Sequence, residues 1–206
     1  MSAVPASARN DRTAVVDAAM RVLAENGLPG LSMRRIADVL DVQVSALYWH
    51  FPNKQSLLAA VSERIVALGT ADASDDLAPI ATSLRERLLA HRDGAELVSS
   101  SLALGLLELP SRTQLEKAAR SAGLDDASAG IAADTLVHYV IGYTFHEQQR
   151  MHAAVVGAVD ASVDLAPDRV ADSVDAFEAG LAMVVAGVQA AVGSLDRRVS
   201  DSGRRR

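Results

Sequence analysis

A chain of 206 residues, half of them hydrophobic, can bury a sizeable core, which excludes a largely disordered protein. The absence of cysteine excludes disulfides, thiolate catalysis and Cys-based zinc or iron–sulfur sites, and it fits a reducing compartment. A net charge of −6 argues against nucleic acid as a partner for the chain as a whole. Residues 1–66 nevertheless carry seven Lys or Arg against six Asp or Glu, so the acidity lies farther on. A small reader on an acidic body can still meet DNA, because charges are screened over about 8–10 Å.

Residues 1–10 are rich in Ser, Ala and Pro without periodicity and are expected to form a disordered arm, with Arg9 and the following Arg12 as possible phosphate contacts. No apolar run here resembles a signal peptide. A helix is predicted over residues 13–25, where Val15, Ala19, Val22 and Leu23 recur at the spacing of a buried stripe. Asn26-Gly27 ends it, Gly27 suiting a left-handed cap. Ser32 can cap a second short helix running to Leu40, with Ile36, Ala37 and Leu40 as its inner face. Asp41-Val42 makes a tight turn, residues 44–50 a third short helix, and Asn53 the cap of a fourth over 54–68.

Longer helices are expected after that, over 77–90, 95–107, 112–122 and 126–151. Residues 153–168 are ambiguous. The last helix, about 168–195, carries Val170, Val174, Phe177, Leu181, Val184, Val188, Val192 and Leu195 at spacings of three and four, a continuous apolar seam. The most apolar stretch, 181–192, is short for a membrane span and contains Gln189. The organisation read from this pattern is all-α: an arm at 1–10, a helix-turn-helix domain with its connecting helix at 11–70, a larger helical domain at 71–196, and a basic tail at 197–206. A soluble cytoplasmic protein without cofactor is expected.

Helix, tight turn and helix within residues 32–50 is the geometry of a helix-turn-helix, whose second helix enters the major groove. Ile36, Ala37, Leu40, Val42 and Leu47 bind the two helices together. The free face is then Gln43, Val44, Ser45, Tyr48, Trp49 and His50. Gln43 can bond a base or a phosphate, and Val44 or Ala46 can meet a thymine methyl. Tyr48, His50 and Lys54 suit phosphate oxygens, and Arg34 on the preceding helix can reach either.

The run Leu47-Tyr48-Trp49-His50-Phe51 followed by Asn53-Lys54 resembles the signature of the tetracycline-repressor (TetR) family of transcription regulators. Gly30-Leu31-Ser32-Met33-Arg34-Arg35-Ile36-Ala37 resembles that family's second helix. The resemblance extends past the reader: His91-Arg92-Asp93-Gly94-Ala95, and Gly142 with Glu147-Gln148, are similar to the body of the tetracycline-binding branch. It implies a homodimer built through the long helices near 126–151 and 168–195, with Gly180, Gly187 and Ala190 allowing close approach. It also implies a double-stranded DNA operator, a small-molecule effector, and repression as the usual outcome.

The drug itself is not implied. Where that branch places a His, an Asn, a second His, an Arg and a Gln around tetracycline, this chain has Thr70, Ile80, Val98, Leu102 and Leu115, and His146 stands where an acidic residue is expected. A pocket lined by Leu84, Val98, Leu102 and Leu115 favours an apolar or weakly polar ligand, oriented by His138, Tyr139, Tyr143, His146 and Glu147. His138 and His146 share a helix face, a spacing open to a metal but commoner in hydrogen-bonded core or interface histidines; no metal is expected. His91-Arg92-Asp93-Gly94 reads as turn chemistry with a role in coupling body to reader. No nucleophile–base pair, P-loop or metal-ligand cluster marks an enzyme. The competing reading is a helix-turn-helix regulator governed by a protein partner, or without a small-molecule effector.

Overall fold

A computed structural model describes residues 11–69, 74–155 and 167–203, and every regular element among them is an α-helix. The expected arm at 1–10, Thr70, and residues 156–166 of the ambiguous stretch lie outside the described residues. The helices are α1 (Arg12–Gly30), α2 (Met33–Leu40), α3 (Val44–Tyr48), α4 (Lys54–Val66), α5 (Leu77–Leu89), α6 (Gly94–Ala103), α7 (Pro110–Ser121), α8 (Asp126–Val155) and α9 (Pro167–Gly203).

Local chemistry sets the ends of α1, α2 and α4. Asp11 caps α1, accepting from the Thr13 amide at 3.1 Å, and Gly27 interrupts the same helix with φ 68° and ψ −179°, a conformation open only to glycine at low cost. The Ser32 hydroxyl accepts from Arg35 N–H at 3.2 Å to start α2, and Asp41, left-handed at φ 55°, ends it. At α4 the Asn53 side chain accepts from Ser56 N–H at 2.8 Å while Ser56 Oγ receives the Asn53 amide, a reciprocal capping box.

The chain divides into two compact units: Met1–Ala67 with Arg87–Glu108, and Leu68–Glu86 with Leu109–Arg206. In the first, α1 packs on α2 and α4, α2 on α3, and α4 on α6. Its core is built from Leu23, Leu31, Ile36, Leu47, Phe51, Leu57, Ile65 and Leu97, all fully buried. Each such side chain contributes about 1.5–3 kcal/mol by leaving water. In the second unit α8 is the axis, with α7 and α9 packed against it.

Several boundaries differ from the sequence reading: α1 continues across the kink at Gly27 to Gly30 rather than ending at 25, and α4 stops at Val66 rather than 68. The third helix stops at Tyr48 rather than His50, because Phe51 turns fully into the core and Pro52 follows. α6 stops at Ala103 rather than 107, where Gly105 and Leu106 N–H bond back to Leu102 and Ser101 carbonyls at 2.9 and 3.0 Å. α8 runs on to Val155 and α9 to Gly203, so helix occupies 197–203 of the expected tail; no proline interrupts either extension. A compact unit that includes Arg87–Glu108 with the reader also departs from a boundary near residue 70. Its cause is the packing of α6 on α4 described below.

Candidate nucleic-acid interface

The helix-turn-helix is built as its apolar positions require. Ile36, Ala37 and Leu40 of α2 and Leu47 of α3 are buried, and the Val42 amide closes the turn on the Ala37 carbonyl at 3.1 Å. With Leu47 turned inward, the rest of α3 is presented: Gln43, Ser45 and Tyr48 are exposed, and Trp49 is 89% exposed. Val44, Ala46 and His50 are half-buried. Gln43 spends no side-chain bond on capping α3. Arg34 on α2 and Lys54 at the first position of α4 are both exposed. All eight sequence-predicted DNA residues therefore belong to one unit, six of them within 43–50. An indole left almost wholly in water is unusual unless a partner covers it.

Behind that face lies an arginine the sequence reading treated only as a possible phosphate contact. Arg12 Nη1 donates to the His50 carbonyl at 3.2 Å, and its guanidinium sits 4.3 Å from the Phe51 ring centroid. Arg64 of α4 pairs with Asp17 of α1 at 3.2 Å, an exposed contact of small energetic weight.

The same unit contains two polar links to α6 and the turn before it. Asp93, left-handed at φ 54°, accepts from the Leu28 amide at 2.7 Å, and Arg92 Nη1 donates to the Glu25 carbonyl at 3.2 Å. The turn expected at His91-Arg92-Asp93-Gly94 thus clasps the kinked end of α1. Between α4 and α6, buried Ser62 Oγ meets Ser101 Oγ at 2.9 Å and donates to the Leu97 carbonyl at 3.4 Å. Burial holds the His91 imidazole below its ordinary value of 6.5, which favours the neutral ring.

In the second unit, three sequence-predicted ligand residues come together around Phe177. Tyr139 and Tyr143 of α8 donate to the Phe177 and Ser173 carbonyls of α9, each at 2.8 Å, and their rings lie 5.5 and 5.3 Å from that of Phe177. Burial pushes the Tyr139 hydroxyl above its ordinary value, so it stays a donor. Arg85 Nη2 donates to both carboxylate oxygens of Glu147, at 2.8 and 2.9 Å. Arg85 is itself buried, with its guanidinium 4.7 Å from the Phe177 ring. The sequence reading missed Arg85 and Phe177 as partners, although Arg85 sits conspicuously in the stripe Ala81, Leu84, Leu88. Leu84 and Leu115 are fully buried in this unit, whereas Val98 (buried) and Leu102 (half-buried) lie on α6 in the first. His138 and His146 are exposed on α8 and do not join the cluster.

The outer part of α8 and α9 has a different character. Phe177 and Leu181 of the apolar seam are buried, but Val184 and Val188 are only half so. They line a groove of about 420 Å³ with Leu124, Ile131, Ala132, Thr135 and Met183. Ile131 is 68% and Met183 75% exposed. Ser173–Val192 has a mean hydropathy of 1.4, long and apolar enough by composition to cross a membrane, more than the sequence reading allowed.

A buried helix-turn-helix that presents polar and aromatic side chains on its second helix, joined to a helical body, defines a DNA-binding transcriptional regulator. Residues 15–61 match the model for bacterial regulatory proteins of the tetR family, and residues 67–166 that for the tetracyclin repressor-like C-terminal domain. The chain is 31% identical over 204 residues to the tetracycline repressor protein class C of Escherichia coli, covering 86% of this chain and 90% of that one. It is also similar to the crystal structure of Mycobacterium smegmatis BioQ, at TM-score 0.75 and 40% identity over 87% of this chain and 98% of that one. A structure of BioQ with its double-stranded DNA operator is similar at TM-score 0.70 and 38% identity, covering 87% and 98%. The chain belongs to the TetR family of transcriptional regulators.

Proposed function

We propose that this regulator is a cytoplasmic homodimeric repressor that holds a palindromic operator through α3 and releases it when a small, largely apolar ligand other than tetracycline binds the second unit. The observation that carries the operator half is the exposed row Gln43, Ser45, Tyr48 and Trp49 on a helix anchored from behind by Leu47. In this reading Gln43 reads a base edge, half-buried Val44 supplies an apolar contact, and Ser45, Tyr48, Trp49, His50, Arg34 and Lys54 hold sugar and phosphate. Similarity to an operator-bound BioQ supports it.

The occupant proposed for the groove on α8 and α9 is a second copy of this chain. A membrane fits poorly, because Asp175 and Glu178 interrupt the apolar stretch and are exposed. A dimer presents two reading helices about 34–36 Å apart, one turn of B-DNA. A ligand then shifts the equilibrium only by its preference for a dimer of different spacing. The route proposed runs through the reader unit itself, since α6 is pinned to α4 by Ser62 and Ser101, and the preceding turn is clasped to α1 by Asp93.

For the ligand, Leu84 and Leu115 are the apolar candidates of the second unit and Tyr139, Tyr143 and Glu147 the polar ones. Val98, Leu102, His138 and His146 remain proposals from sequence. A second reading, control by a protein partner, is favoured by one observation: Tyr139, Tyr143 and Glu147 already spend their bonds on Phe177, Ser173 and Arg85. Fluorescence anisotropy against DNA from upstream of its own gene, titrated across salt, tests the operator half. Saturable binding at two protomers per site supports it; binding no tighter than to mixed-sequence DNA contradicts it. A thermal-shift screen with apolar and weakly polar small molecules, followed by release of that DNA, separates the two control readings.

A further inference from the structure

The reading helix cannot hold itself. α3 has five residues, far below the length at which a helix is stable in water, and its N-cap Gln43 supplies no side-chain bond. Only Leu47 of the five is buried, and the next anchor is Phe51, beyond the helix end. The amides of His50 and Phe51 both turn back to the Leu47 carbonyl, at 3.0 and 2.9 Å. What fixes the outward side of this turn comes from thirty-eight residues upstream, where Arg12 Nη1 donates to the His50 carbonyl and the guanidinium covers the Phe51 ring. Carbonyls at a helix C-terminus lack partners and favour a positive charge.

We infer that Arg12 is a positioning residue of the DNA interface, locking the turn that follows α3 and so fixing where Tyr48, Trp49 and His50 stand, rather than a phosphate contact. The inference rests on the reading of α3 as the DNA-contacting helix. A planar guanidinium can stack on a ring while one arm of its fork donates to a carbonyl. An ammonium keeps the charge but loses the plane, so lysine does not replace arginine in this role. A phosphate contact behaves oppositely: lysine largely restores it, because the phosphate term is a matter of charge.

The test uses the full chain with Arg12→Lys, Arg12→Ala and Phe51→Leu. Hydrogen exchange without DNA is read at the His50 and Phe51 amides, and binding to a mixed-sequence 30-base-pair duplex is read across salt. We expect Arg12→Lys and Arg12→Ala each to speed exchange at those two amides about five- to tenfold, leaving α8 unchanged. Phe51→Leu reproduces part of the change and is non-additive with Arg12→Lys. Duplex binding weakens by a similar factor for both Arg12 variants, with the salt slope unaltered. Wild-type exchange in Arg12→Lys overturns the inference, as does faster exchange spread evenly over both units. So does a salt slope reduced by about one in Arg12→Ala and restored in Arg12→Lys, the mark of a phosphate contact. Local loss of protection with unchanged duplex binding overturns the functional half, and with it the reading of α3.

Discussion

Gly180→Ala is the sharpest probe of how α8 and α9 are held together. A Cβ at Gly180 would overlap Tyr139 Oη and stand 3.0 and 3.2 Å from Cζ and Cε2 of the same ring. Tyr139 cannot yield cheaply, because its hydroxyl donates to the Phe177 carbonyl and its ring stacks on Phe177 and tilts against Tyr143. Overpacking costs about 1–3 kcal/mol and the displaced hydrogen bond about 1 kcal/mol. The gain of replacing glycine in a helix returns about 0.5–1 kcal/mol. The net expectation is a loss of about 1–3.5 kcal/mol, or about 2–14 °C in Tm for a chain of this size. Urea denaturation followed by circular dichroism measures it, at fixed protein concentration because the stability of the proposed dimer would depend on concentration. Gly187→Ala is the control: among the described residues, no atom outside its chain neighbours and its own helix backbone lies within 4 Å of its Cβ position, so that variant should be neutral or slightly stabilised within a protomer. Adding Tyr139→Phe removes the worst overlap and should recover part of the Gly180→Ala loss. A Gly180→Ala protein as stable as wild type would refute this account of the packing.

Gly27→Ala should cost about 3 kcal/mol, since it combines a positive φ with a Cβ 2.7 Å from Asp93 Oδ2; wild-type stability would mean the clasp on α1 is loose. Glu147→Leu alone leaves the Arg85 charge buried and unpaired and should cost about 3–5 kcal/mol, whereas Arg85→Met with Glu147→Leu should recover most of it. Equal losses in the single and double variants would contradict a buried pair. His91 titrates below 6.5 when folded because of burial, so the unfolded chain binds its proton more readily. Its contribution to stability is whole above about pH 6.5 and is lost as pH falls from there through the folded value. His91→Asn should flatten the change in stability of the first unit between pH 7 and 5, and an unchanged profile would exclude His91 as its source.

Much of the reader was legible because its signals are local. Ser32 and Asn53 announce helix starts, and Gly27 a break, through backbone chemistry that needs no distant partner, and the spacing of Ile36, Ala37, Leu40 and Leu47 fixes which face of α3 is free. Arg12 escaped because its partners lie thirty-eight residues away, and nothing in its neighbours distinguishes a phosphate contact from a lock on α3. The polar residues of the body were identified by type, but their partners within the chain were not. Tyr139, Tyr143 and Glu147 read from sequence as ligand groups, and in the fold they also bond Phe177, Ser173 and Arg85. Arg85 left a visible trace, a charge inside an apolar stripe, which signals either a buried pair or a site. The inclusion of α6 with the reader had no local signature, since Ser62 and Ser101 meet only after folding.

The central claim is that α3 reads a palindrome, and enrichment of bound duplexes from a randomised library tests it most directly. The account predicts a two-fold symmetric consensus with half-sites one or a few turns of B-DNA apart, with Gln43→Ala changing the preferred bases and Tyr48→Ala with Trp49→Ala weakening all duplexes alike. An enriched sequence without two-fold symmetry, or a consensus and affinity untouched by those substitutions, would contradict it.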